Sequence, residues 1–417
     1  MWQRFHRVFN MQNSLVLACV VVTAGFGTRS EFVTHTEVLE LNSGSVILRP
    51  LPGTLHALPW AADGKYRIGE VLCESYWIPP YHDGAHQGAC TRYIAKKQLD
   101  RLSALGYRFL SGYEVECFMF RKDGEGEVTS RPMFHGDDIY TNVLLAENEE
   151  LICFMAEQMS AAGVDIVSMH PECASGLLEF STGPKFGIES ADDLFTLKEA
   201  LKEMSDQRGW QVTFMSQPLS EPGYCSRMHS NGSLWIGDKN AFYDPETRGL
   251  SAIFRHWAAG LIKHAGALTA LLCPTVNCYR GLHTEFAPSY ADWGLENRNS
   301  MLRVVMTSPR TTYIENRLPT CAANPYVVMA ATVAAGIDGL VNRLEVPVDT
   351  KEKLVSTLPE ALEALEADQV MCEALGEEFI RWFLAVKREA EIHKVIKAKK
   401  DGQDEIEVER ELYFKFI

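Results

Sequence analysis

The sequence predicts an α+β fold, and three observations carry that prediction. Amphipathic helices alternate with acid-bearing strands along the middle of the chain: helix 91–105 precedes strand 109–120, and helix 147–162 precedes strand 165–169. Side chains i and i+2 of a strand share a face, so such a sheet would present several carboxylates together. Neither an internal repeat nor a low-complexity linker interrupts the chain, which predicts one large domain over residues 85–417.

Ahead of that domain, residues 1–30 form an N-terminal segment with two readings, and residues 31–84 a small β-rich unit. Arg4 and Arg7 followed by the small apolar run Leu15 to Phe26 make the pattern of a short signal peptide, too short for a membrane span. The same run fits a buried strand, because Val20-Val21-Val22-Thr23 is β-branched and ends at Gly25 and Gly27. Glu37 to Leu41 and Ser45 to Leu48 read as strands flanking the turn signal Asn42-Ser43-Gly44. Pro50, Pro52 and Pro59 punctuate an extended stretch, and residues 66–78 predict a further strand ending at Pro79-Pro80.

In the large domain, Tyr93, Ile94, Leu99, Leu102 and Leu105 share one helix face, and Gly106 ends that helix. Gly163 stops the second helix. Ala191 to Ser205 and Ser251 to Ala270 predict further helices, and Ala322 to Leu340, small and apolar throughout, predicts one packed on all sides. Leu358 to Ile417 is charged and helical, with breaks near Gly376 and Gly402.

Composition narrows the function classes. A formal net charge of -15 offers no basic surface for nucleic acid, and beyond the N-terminal run nothing is apolar and long enough for a membrane. The cysteines number 11, an odd count with no CxxC pair, in a chain too long to need a disulfide frame. Reduced, mostly buried thiols and a cytoplasmic protein are the expectation.

Four constellations could carry chemistry. Glu114 and Glu116 lie two apart on an apolar strand, so both carboxylates project to one face, which is costly unless a cation lies between them. His170-Pro171-Glu172 is followed by Glu179, bracketing Gly176. His229 offers an imidazole, and Tyr313 to Arg317 repeats the strand pattern with Glu315 and Arg317. Several carboxylates and one imidazole suit two hard divalent ions, Mg²⁺ or Mn²⁺. Arg280, Arg298 and Arg303 add guanidinium forks for phosphate or carboxylate oxygens. No GxxxxGK[ST] loop and no kinase signature is present, so a nucleotide would be held by metals and arginines.

From Leu51 to the C-terminus these residues resemble, in order, the glutamine synthetase family. Leu58-Pro59-Trp60 resembles its "LPW", and Glu114 and Glu116 match the glutamates of its first catalytic strand. Glu172 and Glu179, with Gly176 between them, match its next pair, and His229 its metal-binding histidine. Pro274 to Tyr279 resembles "PTxNSY", Asn297-Arg298 and Arg303 match "NRxxxxR", and Glu315 and Arg317 match "ExR". Asn324-Pro325-Tyr326 and the run Ala334 to Gly339 resemble "ANPYLxxAAxLAAGLDG".

The resemblance implies a short β-grasp-like domain over 31–84 and a catalytic domain over 85–417, built on a curved antiparallel sheet with flanking helices. It also implies one metal on Glu116, Glu172 and Glu179 and another on Glu114, His229 and Glu315. Arg298 and Arg317 would take catalytic roles, and Gly176, Asn231, Ser233, Arg280 and Arg303 would join them in contacting nucleotide or substrate. The resemblance implies ATP-dependent joining of glutamate, or a similar acid, to ammonia or another amine through an acyl phosphate, in a homo-oligomeric ring expected to be a dodecamer.

Departures accompany the match. Leu177 replaces the glutamine of "GQxE", Gly281 stands where the family has an arginine, Arg227 replaces the glycine before "MH", and Asn231 the second histidine. The acid before "AP" is one place early, at Glu285, and no segment resembles the "DGSS" loop. TYIEN, HxN followed by SLW, and the tail from Glu366 resemble the lengsin-like branch, which implies a structural ring without catalysis and intermediate-filament partners.

Overall fold

The computed structural model describes residues 17–20, 33, 45–61, 67–78, 84–126, 128–136, 139–146, 148–219, 225–284, 286–346 and 352–417. Strands β1 (Leu17–Val20), β2 (Ser45–Pro50) and β3 (Cys73–Trp77) form an antiparallel three-stranded sheet in that order. Residues 17–20 therefore take the strand reading, with Leu17 opposite Leu48. The rest of the apolar run and the expected strand 37–41 lie outside the described residues.

The larger layer begins with α1 (Thr91–Ala104), which buries Ile94, Ala95, Gln98 and Leu102, and then β4 (Arg108–Lys122). Next come α2 (Glu149–Ala161), β5 (Ile166–Pro171), β6 (Leu177–Thr182), α3 (Glu189–Asp206) and β7 (Met228–Ile236). The expected helix 251–270 is two helices, α4 (Ala252–Lys263) and α5 (Ala265–Leu272), broken at His264. Strands β8 (Trp293–Leu295), β9 (Leu302–Met306) and β10 (Thr312–Asn316) precede α6 (Pro325–Val341). The tail is helical as expected: α7 (Leu358–Ala367), α8 (Gln369–Leu375), α9 (Glu377–Ala385), α10 (His393–Lys400) and α11 (Glu405–Tyr413).

The main sheet runs β8-β9-β10-β7-β4-β6-β5. Its central pairs are antiparallel, but β8 and β9 pair in parallel, so the sheet is mixed rather than wholly antiparallel. Strand β4 is its spine, with β7 on one side and β6 on the other. Tyr113, Val115, Cys117 and Met119 of β4 are fully or almost fully buried in the core, which fixes the register and turns Glu114 and Glu116 to the opposite face.

Helix α6 is buried along nearly its whole length, as its all-round apolar sequence predicts. Asn324 caps it, accepting from the amides of Tyr326 and Val327, and Pro325 occupies the first turn. It crosses α4 at backbone contact: a Cβ on Gly339 would lie 2.0 Å from the His256 carbonyl oxygen, and one on Gly260 2.2 Å from that of Ala335. Gly339→Ala is therefore expected to destabilise the fold by about 1–3 kcal/mol through overpacking. A thermal melt unchanged from wild type would refute this account of the crossing.

His264 ties three helices together. Its Nδ1 lies 2.6 Å from Asp368 and its Nε2 3.0 Å from Asp338, which also accepts from Lys263. Burial opposes charge on this imidazole, but hydrogen bonds to Asp368 and Asp338 win and raise its pKa. A histidine whose folded pKa lies above its unfolded value of about 6.5 stabilises fully below that pH and loses the contribution as pH rises through the folded pKa. The melting temperature should therefore fall from pH 6.5 upward, and His264→Gln should flatten that slope. An identical slope in the variant would exclude His264 as its source.

Candidate active site

Cross-strand register assembles the site. Glu114 on β4 stands opposite His229 on β7, and Asn231 on β7 opposite Glu315 on β10. Glu315 in turn stands opposite Arg303 on β9. On the other side of β4, Glu116 stands opposite Glu179 on β6, and Glu179 opposite His170 on β5. Residues opposed across a ladder share a face, as do residues two apart, so these groups all project from one face of the sheet.

Two clusters result. In one, Glu114, His229 and Glu315 each place a possible ligand atom within 4.8 Å of the others. His229 Nδ1 lies 3.1 Å from Glu114 Oε2 and 3.5 Å from Glu315 Oε1. In the other, His170, Glu172 and Glu179 meet the same test, with His170 Nε2 3.2 Å from Glu179. This second set includes His170 where Glu116 was expected. Glu116 is nonetheless adjacent: it is cross-strand from Glu179, and its Oε2 accepts from the Arg227 amide at 2.9 Å.

The electrostatics of the two clusters differ. Burial pushes Glu114 upward, yet hydrogen bonds from His229 and Asn231 and the charge of Arg317 bring it down to about 2. Glu116 is driven well above the usual carboxylate range by burial and by the charges of Glu179 and Glu172, and Glu172 is raised by burial and Glu179. The second cluster thus carries more negative charge than its own neighbours compensate. His229 Nε2 and Asn231 Oδ1 are buried without a hydrogen-bond partner. A surplus of carboxylate oxygens beside an imidazole is the donor set that hard divalent cations take, so these residues fit two Mg²⁺ or Mn²⁺ ions.

Arginines border the first cluster. Glu315 accepts from Arg303 Nη1 at 2.6 Å and from Arg317 Nη1, and Arg303 also pairs with Glu296 at 2.5 Å. Arg298 is exposed, and its charge is felt at Tyr140, whose ring meets His170 edge-on with centroids 4.5 Å apart. Tyr140 holds the left-handed conformation with φ 62°, a strained backbone for a bulky side chain.

Other expected residues find different partners. Arg280 forks onto Glu409 of α11 with two contacts of 2.8 Å, and Ser233 accepts from the Trp235 indole at 2.9 Å. Gly176 has φ +72°, and a Cβ there would meet Pro132 at 2.8 Å and the Met119 carbonyl at 2.9 Å, so it shapes the turn between Glu172 and Glu179. Leu177 is buried with Phe118, Phe120 and Tyr413. Glu285 lies outside the described residues. The sequence marks His170 as part of the His170-Pro171-Glu172 constellation but gives it no ligand role, and it does not mark Tyr140.

Fold and site together define an α+β protein with paired acidic centres, suited to divalent cations, on one face of a mixed sheet. A family model described as the glutamine synthetase catalytic domain matches residues 88–408. Glutamine synthetase of Thermotoga maritima is 32% identical over 365 residues, covering 83% of this chain and 81% of that protein. Human lengsin is 31% identical over 363 residues, covering 83% of this chain and 68% of that protein. A GmaS/ADP complex superposes with a TM-score of 0.74 at 26% identity, covering 87% of this chain and 84% of that one. A crystal structure of a glutamine synthase homologue gives 0.82 at 22% identity over 95% and 91% of the two chains, a likeness of fold. The chain belongs to the glutamine synthetase family.

Proposed function

We propose that the chain is an ATP-dependent carboxylate–amine ligase that activates glutamate, or a similar acid, and joins it to ammonia or another amine. The observation that supports this most directly is the gathering of Glu114, Glu116, Glu179, His229 and Glu315 on one sheet face, with Glu172 from the adjoining turn, beside Arg303 and Arg317. Two divalent cations held by the two clusters would neutralise phosphate charge and polarise the transferring phosphoryl group.

The chain's own groups position and stabilise the reactants. Glu315 holds Arg303 and Arg317 as a paired guanidinium wall, where phosphate oxygens gain charge-assisted donors. A carboxylate oxygen of the acid attacks the terminal phosphorus of ATP, the bond to the bridging oxygen breaks, and ADP leaves. The amine nitrogen then attacks the acyl carbon, phosphate departs, and the excess proton passes to a nearby base. Arg298 is assigned to phosphate and Asn231, hydrogen-bonded to Glu114 at 2.9 Å, to orienting that carboxylate. The assembly proposed is a homo-oligomeric ring in the cytoplasm; no helix of the described residues is long and apolar enough to cross a membrane.

A second reading is a catalytically silent, lengsin-like scaffold with intermediate-filament partners. The likeness to lengsin supports it, as does the commitment of Arg280 to Glu409 and of Leu177 to the core. Phosphate release from ATP with Mg²⁺ or Mn²⁺, glutamate and hydroxylamine decides between them. Turnover that yields hydroxamate and disappears in Glu172→Ala establishes the ligase. A folded protein silent with several acids and amines leaves the scaffold.

A further inference from the structure

Among the described residues, no carboxylate pairs with the buried guanidinium of Arg227. This residue precedes β7 directly, is 8% exposed, and its guanidinium makes two contacts, Nη2 donating to the Gly281 carbonyl and, at 3.3 Å, to Thr284 Oγ1. Both acceptors are neutral, and among the described residues Arg227 has no ion pair. Burial disfavours its protonated form and Arg317 adds to that, against the favourable charge of Glu116, with which the guanidinium forms no ion pair. A buried guanidinium without an anion is a costly arrangement unless a ligand supplies the anion.

Its position says which ligand. The Arg227 backbone amide donates to Glu116 Oε2 and its carbonyl accepts from the Glu116 amide at 3.1 Å, so the residue is fixed to the acidic face at the second cluster. The guanidinium lies against the side of Gly281 on which a side chain would grow: a Cβ there would come within 3.2 Å of Arg227 Nη2 and 2.7 Å of Cys225 Cβ. The absence of a side chain at 281 and the presence of a long cationic one at 227 are therefore one arrangement. Arg317 reaches the same segment, donating to the Phe286 carbonyl at 3.3 Å, but its charge is already matched by Glu315. Among the described residues beside Gly281, Arg227 is a buried guanidinium open to an incoming anion.

We propose that Arg227 binds the second carboxylate of a dicarboxylic substrate, the one that is not phosphorylated, and so makes the protein select diacids over monoacids. This rests on the ligase reading for the reaction but not for the binding. A planar guanidinium meets a carboxylate with two parallel hydrogen bonds, and a site built for that pair rejects an analogue lacking it because the buried donors stay unmatched.

The test compares glutamate with 4-aminobutyrate, which is glutamate without its α-carboxylate. Each is titrated calorimetrically into the full chain with Mn²⁺ and a non-hydrolysable ATP analogue, for wild type, Arg227→Lys and Arg227→Met. Wild type should bind glutamate at least about tenfold more tightly than 4-aminobutyrate. Arg227→Met should lose about 10- to 100-fold in glutamate affinity and less than about threefold for 4-aminobutyrate, with Arg227→Lys between. A merely structural role would weaken both ligands in parallel. Parallel loss, unchanged glutamate binding in Arg227→Met, or no diacid preference in wild type overturns the assignment. Hydroxamate formation is followed separately, on the same three proteins, with ATP in place of the analogue and with hydroxylamine. The predicted binding pattern without turnover removes the ligase reading and leaves Arg227 assigned, whereas turnover without the pattern does the reverse.

Discussion

Glu315→Ala is expected to cut metal-dependent hydroxamate formation by more than about 10³-fold and to destabilise the fold by about 3–5 kcal/mol at the same time. The two effects share one cause. Glu315 is 2% exposed, accepts from both Arg303 and Arg317, and approaches His229. Removing it takes an oxygen from the first cluster and strands two guanidinium groups in a poorly solvated place. Glu315→Gln separates the effects, because its amide oxygen can still accept one of those hydrogen bonds while the negative charge is gone. The glutamine variant should melt closer to wild type than the alanine variant and yet remain as inactive. Activity in Glu315→Gln within tenfold of wild type would show that the charge of this residue does not enter the reaction.

The second large effect concerns Glu116 and cation binding. Its carboxyl is buried among Glu179 and Glu172, and its pKa is raised by burial and by those two charges. Glu116→Gln removes one of three crowded acids while keeping an acceptor for the Arg227 amide. In the absence of metal this variant should be more stable than wild type by about 1–2 kcal/mol. In wild type, Mn²⁺ at a hundredfold excess over its dissociation constant should add about 2.7 kcal/mol. That gain should shrink markedly in Glu116→Gln. Melting curves with chelator and with Mn²⁺ measure both. A variant less stable than wild type in chelator, with its Mn²⁺ gain intact, would place Glu116 in the scaffold rather than at a cation.

Much of this architecture was legible in the residues, for reasons that differ by element. Strand β4 announced itself because its apolar residues alternate with Glu114 and Glu116, and helix α6 because it is apolar all round. The family resemblance supplied the pairing of Glu114 with His229 and Glu315, which no local pattern contains, since the three lie on strands far apart in the chain. The break of helix 251–270 at His264 was not legible, because the two carboxylates that hold the imidazole come from other helices. Arg280 illustrates the opposite difficulty: its spacing beside "PTxNSY" pointed to substrate, while Glu409, 129 residues later, takes both arms of its fork. The parallel pairing of β8 with β9 likewise depends on a loop path that hydrophobic periodicity does not encode.

The register that opposes Glu114 to His229, Asn231 to Glu315 and Glu116 to Glu179 also restricts how this protein can change over evolutionary time. Inserting or deleting one residue within β4, β7 or β10 would exchange the two faces of that strand, moving its acids into the core and its core residues into the centre. Length variation is therefore confined to the connections between strands, and the centre can be remodelled only by exchanging one side chain for another in place. Arg227 beside Gly281 would be a change of that kind, a long cationic side chain set next to a residue that has none, with no shift in length.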